Sequence, residues 1–120
     1  MNVKYFIDKV IIITGASSGI GLAAANLFAS LNAKVVMAAR SVEKLEEIRK
    51  DMPAPEKVLC VKTDVTVEED CKNLIQKTVE TFGRIDVLIN NAGISMRAKF
   101  VDLDLDVIKR LMDTNFWGTV

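Results

Sequence analysis

Apolar residues follow two alternating periods along this chain. Lys9–Thr14 is a β-branched run, Lys-Val-Ile-Ile-Ile-Thr, that ends in glycine turn chemistry, the composition of a buried strand. From Gly19 the period changes. Ile20, Ala23, Ala24, Leu27, Phe28 and Leu31 recur at helical spacing and predict a helix with that stripe facing inward. Lys34–Ala39 is a second apolar strand. Ser41 is placed to cap a short charged helix that runs to about Met52, with Leu45, Ile48 and Met52 inward and Pro53 and Pro55 ending it. Val58–Thr63 is a third strand. Thr66 and Glu69 have the spacing of a capping box, ahead of a helix that turns Cys71, Leu74, Ile75, Thr78, Val79 and Phe82 inward and stops at Gly83. Asp86–Asn90 is a fourth strand, and a last helix begins near Leu103–Asp104 with Val107, Ile108, Leu111 and Met112 inward.

Strands apolar on both faces and separated by helices imply a parallel sheet covered on both sides. Right-handed crossovers then give a doubly wound, Rossmann-type α/β sheet of order 3-2-1-4 with helices on both faces. No repeat, low-complexity segment or linker divides the chain, so residues 1–120 form one unit in this reading.

Composition narrows the function classes. Half of the 120 residues are hydrophobic, which fits a folded domain. Sixteen basic and sixteen acidic side chains cancel without long blocks of either sign, which argues against a nucleic-acid surface. No apolar stretch is long enough to cross a bilayer and the N-terminus lacks signal-peptide character, so a cytoplasmic protein without a membrane is expected. Cys60 and Cys71 fall on apolar positions and read as small buried thiols, not a disulfide. With no histidine in the chain and no cluster of carboxylates and thiols, no metal site is expected.

The richest chemistry lies at strand ends. Thr14-Gly15-Ala16-Ser17-Ser18-Gly19-Ile20-Gly21 joins a strand to a helix. There, unpaired N–H groups and the positive end of the helix dipole favour an anion. Gly15 serves the tight turn, Gly19 the close approach of a phosphate, and Gly21 the contact between helix and sheet. A glycine- and serine-rich turn with no ligand is the plain alternative. Arg40 follows the second strand directly, with Ser41 beside it and no carboxylate at the tip. An acidic residue there would accept from a ribose 2′-OH, whereas an arginine fork meets a 2′-phosphate, so NADP is favoured with NAD as the alternative. A solvated arginine beside an ordinary helix cap is the competing account. Asp64 ends the third strand, where a carboxylate can accept from an adenine amino group or simply brace a turn. Asn90-Asn91-Ala92-Gly93 ends the fourth, and Asn90, continuing a buried strand, needs partners for its amide. It either braces the strand ends or belongs to a turn using Asn and Gly. Asn115 sits on the inward stripe of the last helix, where it makes a structural hydrogen bond or organises water at a reaction centre.

Taken together, the glycine turn, Asp64-Val65, Asn90-Asn91-Ala92-Gly93 and Asn115 resemble the short-chain dehydrogenase/reductase family, in its compact branch, over essentially the whole chain. The resemblance implies that Gly15, Ser17, Ser18, Gly19, Ile20 and Gly21 hold the pyrophosphate region, with Asp64 and Val65 at the adenine and Asn91, Ala92 and Gly93 along the adenosine. It implies that Arg40 and Ser41 are of the NADP-preferring type, although Ser18 stands where many such members carry a second basic residue. Asn115 is similar to the family asparagine that holds a water in the proton relay. The family's catalytic Tyr-x-x-x-Lys and preceding Ser lie downstream of that asparagine and are not in this sequence. Tyr5 and Lys9 match the spacing but precede the first strand without a helical stripe, and are set aside.

The expectation is therefore the NADP-binding half of an oxidoreductase that interconverts an alcohol and a carbonyl on a small molecule. A noncatalytic dinucleotide-binding sensor is the alternative. The isolated chain is expected to be inactive, with a bare outer edge on strand four that invites aggregation. A homo-oligomer is expected only for the complete protein. Ser95, Met96, Arg97 and Phe100 are placed on the substrate side.

Overall fold

The computed structural model describes residues 3–91. Ala92, Gly93, Asn115, the loop residues Ser95, Met96, Arg97 and Phe100, and the helix expected from about Leu103 lie outside the described residues.

A short 3-10 turn, Val3–Phe6, leads into β1 (Val10–Thr14), α1 (Gly19–Ser30), β2 (Lys34–Ala39), α2 (Val42–Lys50), β3 (Val58–Lys62), α3 (Glu68–Phe82) and β4 (Val87–Ile89). All pairings are parallel, and the strand order is β3-β2-β1-β4. This is the doubly wound, Rossmann-type order expected from the periods. β1 is central and buried along its whole length, which explains why its side chains are apolar without alternation. One core cluster gathers Ile11, Ile13, Val35 and Met37 with Ala25, Ala29 and Leu45 on the face that carries α1 and α2. The opposite cluster gathers Val10, Ile12, Val36 and Ala38 with Cys71, Leu74 and Ile75 of α3.

α1 lies in the expected place but is turned about its axis. Gly21, Ala25 and Ala29 are its buried residues, whereas Ile20 and Leu27 are 78% and 55% exposed and Ala23 is exposed too. Ala24 and Phe28 pack only partly against the core. Small residues face the sheet because they let the helix backbone approach closely; a stripe chosen for apolar bulk misses that face.

The capping box is also absent. Asp64 Oδ1 accepts from the Thr66 amide at 2.9 Å and from its hydroxyl at 2.6 Å. Thr66 thus belongs to an Asx turn, and α3 starts from Val67 without a side-chain cap. Asp70, in the first turn, accepts from the Asp64 amide at 2.8 Å. The far end behaves as expected: Gly83 adopts φ 77° and closes the helix. α2 is capped as expected, with Ser41 accepting from the Lys44 amide at 3.3 Å.

β4 is shorter than Asp86–Asn90, and its residues are only half-buried among the described residues. Asp86 instead uses its carboxylate: Oδ2 accepts from the Val10 amide at 2.8 Å while Oδ1 holds Arg84 at 2.6 Å. Both cysteines are free. Cys71 is buried; Cys60 is half-buried, and burial with the neighbouring Glu46 carboxylate pushes its thiol up to about 12, so it stays protonated.

Candidate functional site

Four turns meet beyond the carboxyl ends of the strands, and most of the expected residues are there. After β1 the chain turns through Gly15 at φ 60° and enters α1 at Gly19 with φ 58°. An L side chain is strained at such angles, so glycine is required for the backbone alone. A Cβ on Gly19 would meet nothing within 4 Å; the space before it is open. Gly21 serves a different purpose. A Cβ there would collide with the Gly15 carbonyl and come within 2.7 Å of Asn91 Nδ2. It is the seat of α1 against the strand ends.

Ser18 occupies the N-cap position of α1, yet its side chain makes no capping hydrogen bond. The first turn therefore presents backbone N–H groups without a side-chain acceptor, beside open space. At such an end the dipole and the free amides favour an anion.

The ends of β1 and β4 are tied together by Thr14. Its buried hydroxyl donates towards Asn90 Oδ1 at 3.2 Å, and accepts from the Asn91 amide at 3.0 Å. Asn91 Nδ2 in turn donates to the Gly15 carbonyl at 3.3 Å. Asn90 braces the strand ends as one of the two readings had it. Its Nδ2 is buried without a hydrogen-bond partner among the described residues.

An open cleft of about 420 Å³ runs beside this turn, lined by Gly15, Ser17, Ala39, Arg40, Ser41, Lys44, Thr63 and Val65. It joins the ends of β1, β2 and β3 and the start of α2. Arg40 is exposed at the tip of β2, and neither it nor Lys44 pairs with a carboxylate among the described residues. The floor at the end of β3 is Thr63, whose amide donates to the Ala39 carbonyl at 2.8 Å. Asp64 reaches the same strand end but does not line the cleft. The structure places its carboxylate in turn chemistry with Thr66. Ser18 and Ile20 are exposed at the mouth of the glycine turn.

Ala39, Lys44 and Thr63 escaped the sequence, as did the tying role of Thr14, which the sequence marks only as the first residue of the glycine turn. Thr14 and Ala39 end β1 and β2, and Thr63 directly follows β3, positions that strand register could have located. Lys44 stands three residues after the cap Ser41, so the cap itself was the signal that puts its backbone beside Ser41. Tyr5 lies before β1 at the amino end of the sheet with Lys9 Nζ 5.0 Å from its ring centroid, away from the cleft.

Among the described residues no three His, Cys, Asp or Glu side chains converge as metal ligands, and no helix is long and apolar enough to cross a membrane.

Sheet order, helices on both faces and a cleft beyond the strand ends define a Rossmann-type α/β protein. The family model for short chain dehydrogenase matches residues 9–120, and the chain belongs to that family, as its N-terminal portion. An uncharacterized oxidoreductase, YxnA, of Bacillus subtilis (strain 168) is 43% identical over 121 residues, covering 100% of this chain and 34% of the relative. The chain spans between a third and a half of the length of the curated relatives it matches. The C-domain of a bacterial malonyl-CoA reductase, solved with NADP, superposes with TM-score 0.70 at 36% identity over 77% of this chain and 16% of that one. A short chain dehydrogenase/reductase from Burkholderia phymatum in complex with NAD gives TM-score 0.75 at 29% identity over 89% of this chain and 45% of that one. The structural neighbours thus include both an NADP and an NAD complex.

Proposed function

We propose that this chain supplies the NADP-binding half of an oxidoreductase that interconverts an alcohol and a carbonyl on a small molecule. The observation that carries the reading is the cleft itself: an α1 N-terminus without a side-chain cap at one side and, at the other, Arg40 at the tip of β2 without a carboxylate partner among the described residues. The residues fit a dinucleotide. The amides around Gly19–Gly21 receive the diphosphate, and Gly19 leaves the space in front of them open. Val65 stands at the adenine, with Asp64 bracing the turn beside it, Ser17 and Gly15 along the cleft wall, and Asn91, Ala92 and Gly93 along the adenosine. Arg40 and Ser41 receive the ribose 2′-phosphate, where a guanidinium fork suits phosphate geometry.

When bound, the nicotinamide carries the hydride. The part of this chain is to fix the cofactor's orientation and, through Asn115, to hold a water for proton transfer. The tyrosine and lysine that move the proton in the family are not among these residues, so the isolated chain is expected to bind without turning over. Titration with NADPH and NADH, followed through cofactor fluorescence, tests the reading. The expected result is saturable binding with NADPH preferred, and Arg40→Gln reducing that preference by about tenfold or more. Equal affinity for the two, unchanged by Arg40→Gln, contradicts it.

A further inference from the structure

Arg40 is not the only cation among the described residues that line the cleft; Lys44 is the other. Glu43 Oε2 accepts from Ser41 Oγ at 3.4 Å and does not line the cleft. The glycine turn brings no cation, since Ser17 and Ser18 are neutral. Lys44 thus adds a second positive charge to the rim that it lines with Arg40 and Ser41.

The placement of Lys44 follows from the capped start of α2. Its backbone amide is taken by Ser41 Oγ at 3.3 Å, so that N–H is not offered to an incoming anion; the side chain is what remains. The acid within helical reach, Glu47, holds Lys50 at 3.4 Å, and Arg49 is held by Glu46 at 3.2 Å. The cations further along the helix are thus matched while Lys44, at the cleft, is not.

Resting on the cofactor reading above, we infer that Lys44 is a second cationic contact for the ribose 2′-phosphate and a determinant of the choice between the phosphorylated and unphosphorylated cofactor. A phosphomonoester carries about −1.5 to −2 charge at neutral pH, more than the single positive charge of one arginine can match. Arg40 supplies planar, directed donors, and Lys44 a mobile point charge on the same group.

Calorimetry on the full chain with adenosine 2′,5′-bisphosphate and with 5′-AMP, which differ only in the 2′-phosphate, tests this without any enzymatic turnover. The expected result is that the chain prefers the bisphosphate. Lys44→Gln then weakens the bisphosphate by about tenfold while leaving 5′-AMP unchanged, Lys44→Arg retains most of the affinity, and added salt shrinks the difference. Lys50→Gln, on the same helix outside the cleft, changes neither probe. If Lys44→Gln binds both probes like the parent while Arg40→Gln loses the preference, the inference is overturned and the cofactor reading stands. If the parent chain shows no preference for the bisphosphate, both fall.

Discussion

The two ends of the sheet are built from similar residues and treat them in opposite ways. At the amino end, charged groups are matched within the protein. Asp86 accepts from the Val10 amide and holds Arg84, and Asp8 pairs with Lys57 at 3.0 Å. At the carboxyl end, the α1 N-terminus has no side-chain cap, and Arg40 and Lys44 face an open cleft without an acidic partner among the described residues. Polar groups that serve the fold are satisfied by the fold, because an unmatched one costs stability. Groups left unmatched around a preformed cleft are consistent with partners that come from outside. The contrast separates groups matched within the fold from groups left open at a cleft.

Substitutions can break that contrast from either side. Gly21→Val has the largest expected effect, because its side chain would run into the Gly15 carbonyl and Asn91. Overpacking of this kind costs about 1–3 kcal/mol, and displacing α1 also removes dinucleotide binding. Urea unfolding together with NADPH titration reads both losses. Asp86→Ala should act on the fold alone. It strands the first amide of β1 and costs about 2 kcal/mol, with cofactor affinity unchanged per folded molecule.

Gly19→Ala reverses the balance. The left-handed φ makes alanine cost about 1–2 kcal/mol, while its methyl enters the open space before the helix. Affinity for NADPH should fall by more than the loss of folded population explains. A variant that keeps full affinity places the phosphate elsewhere.

The smallest effect belongs to Asp8. The hydrogen bond and charge of Lys57 hold its carboxyl below the ordinary 3.8. A depressed folded value contributes stability above the unfolded value and loses it as pH falls through the folded one. The difference in unfolding midpoint between the parent and Lys57→Gln should thus be steady between about pH 5 and 7 and shrink below about pH 4.

The fold was largely legible because strand and helix periods differ and because β1 and β2 are too apolar to lie anywhere but in a covered parallel sheet. The phase of α1 was not. Hydrophobic counting rewards Ile20 and Leu27, whereas close packing on a sheet rewards Gly21, Ala25 and Ala29, which look neutral on any apolar scale. The start of α3 was misread because Asp64, two residues before Thr66, competes for the same hydroxyl and amide; local side-chain bonding of this kind can outbid a cap. In the cleft, the glycines and Arg40 were legible from their chemistry, since few other residues do what they do. Lys44 was not, because a lysine on a charged helix is ordinary until the cap and the neighbouring ion pairs show where it stands.

The central claim is that a dinucleotide lies across the carboxyl ends of these strands with its diphosphate on the first turn of α1. Amide chemical-shift mapping of the isotopically labelled chain during NADP titration tests it most directly. The account predicts the largest shifts at Gly15–Gly21, Arg40–Lys44 and Thr63–Val65, with Asp8, Asn32 and Asp86 unmoved. Saturating cofactor that leaves the Gly19–Gly21 amides in place, or that moves the amino end of the sheet instead, would contradict it.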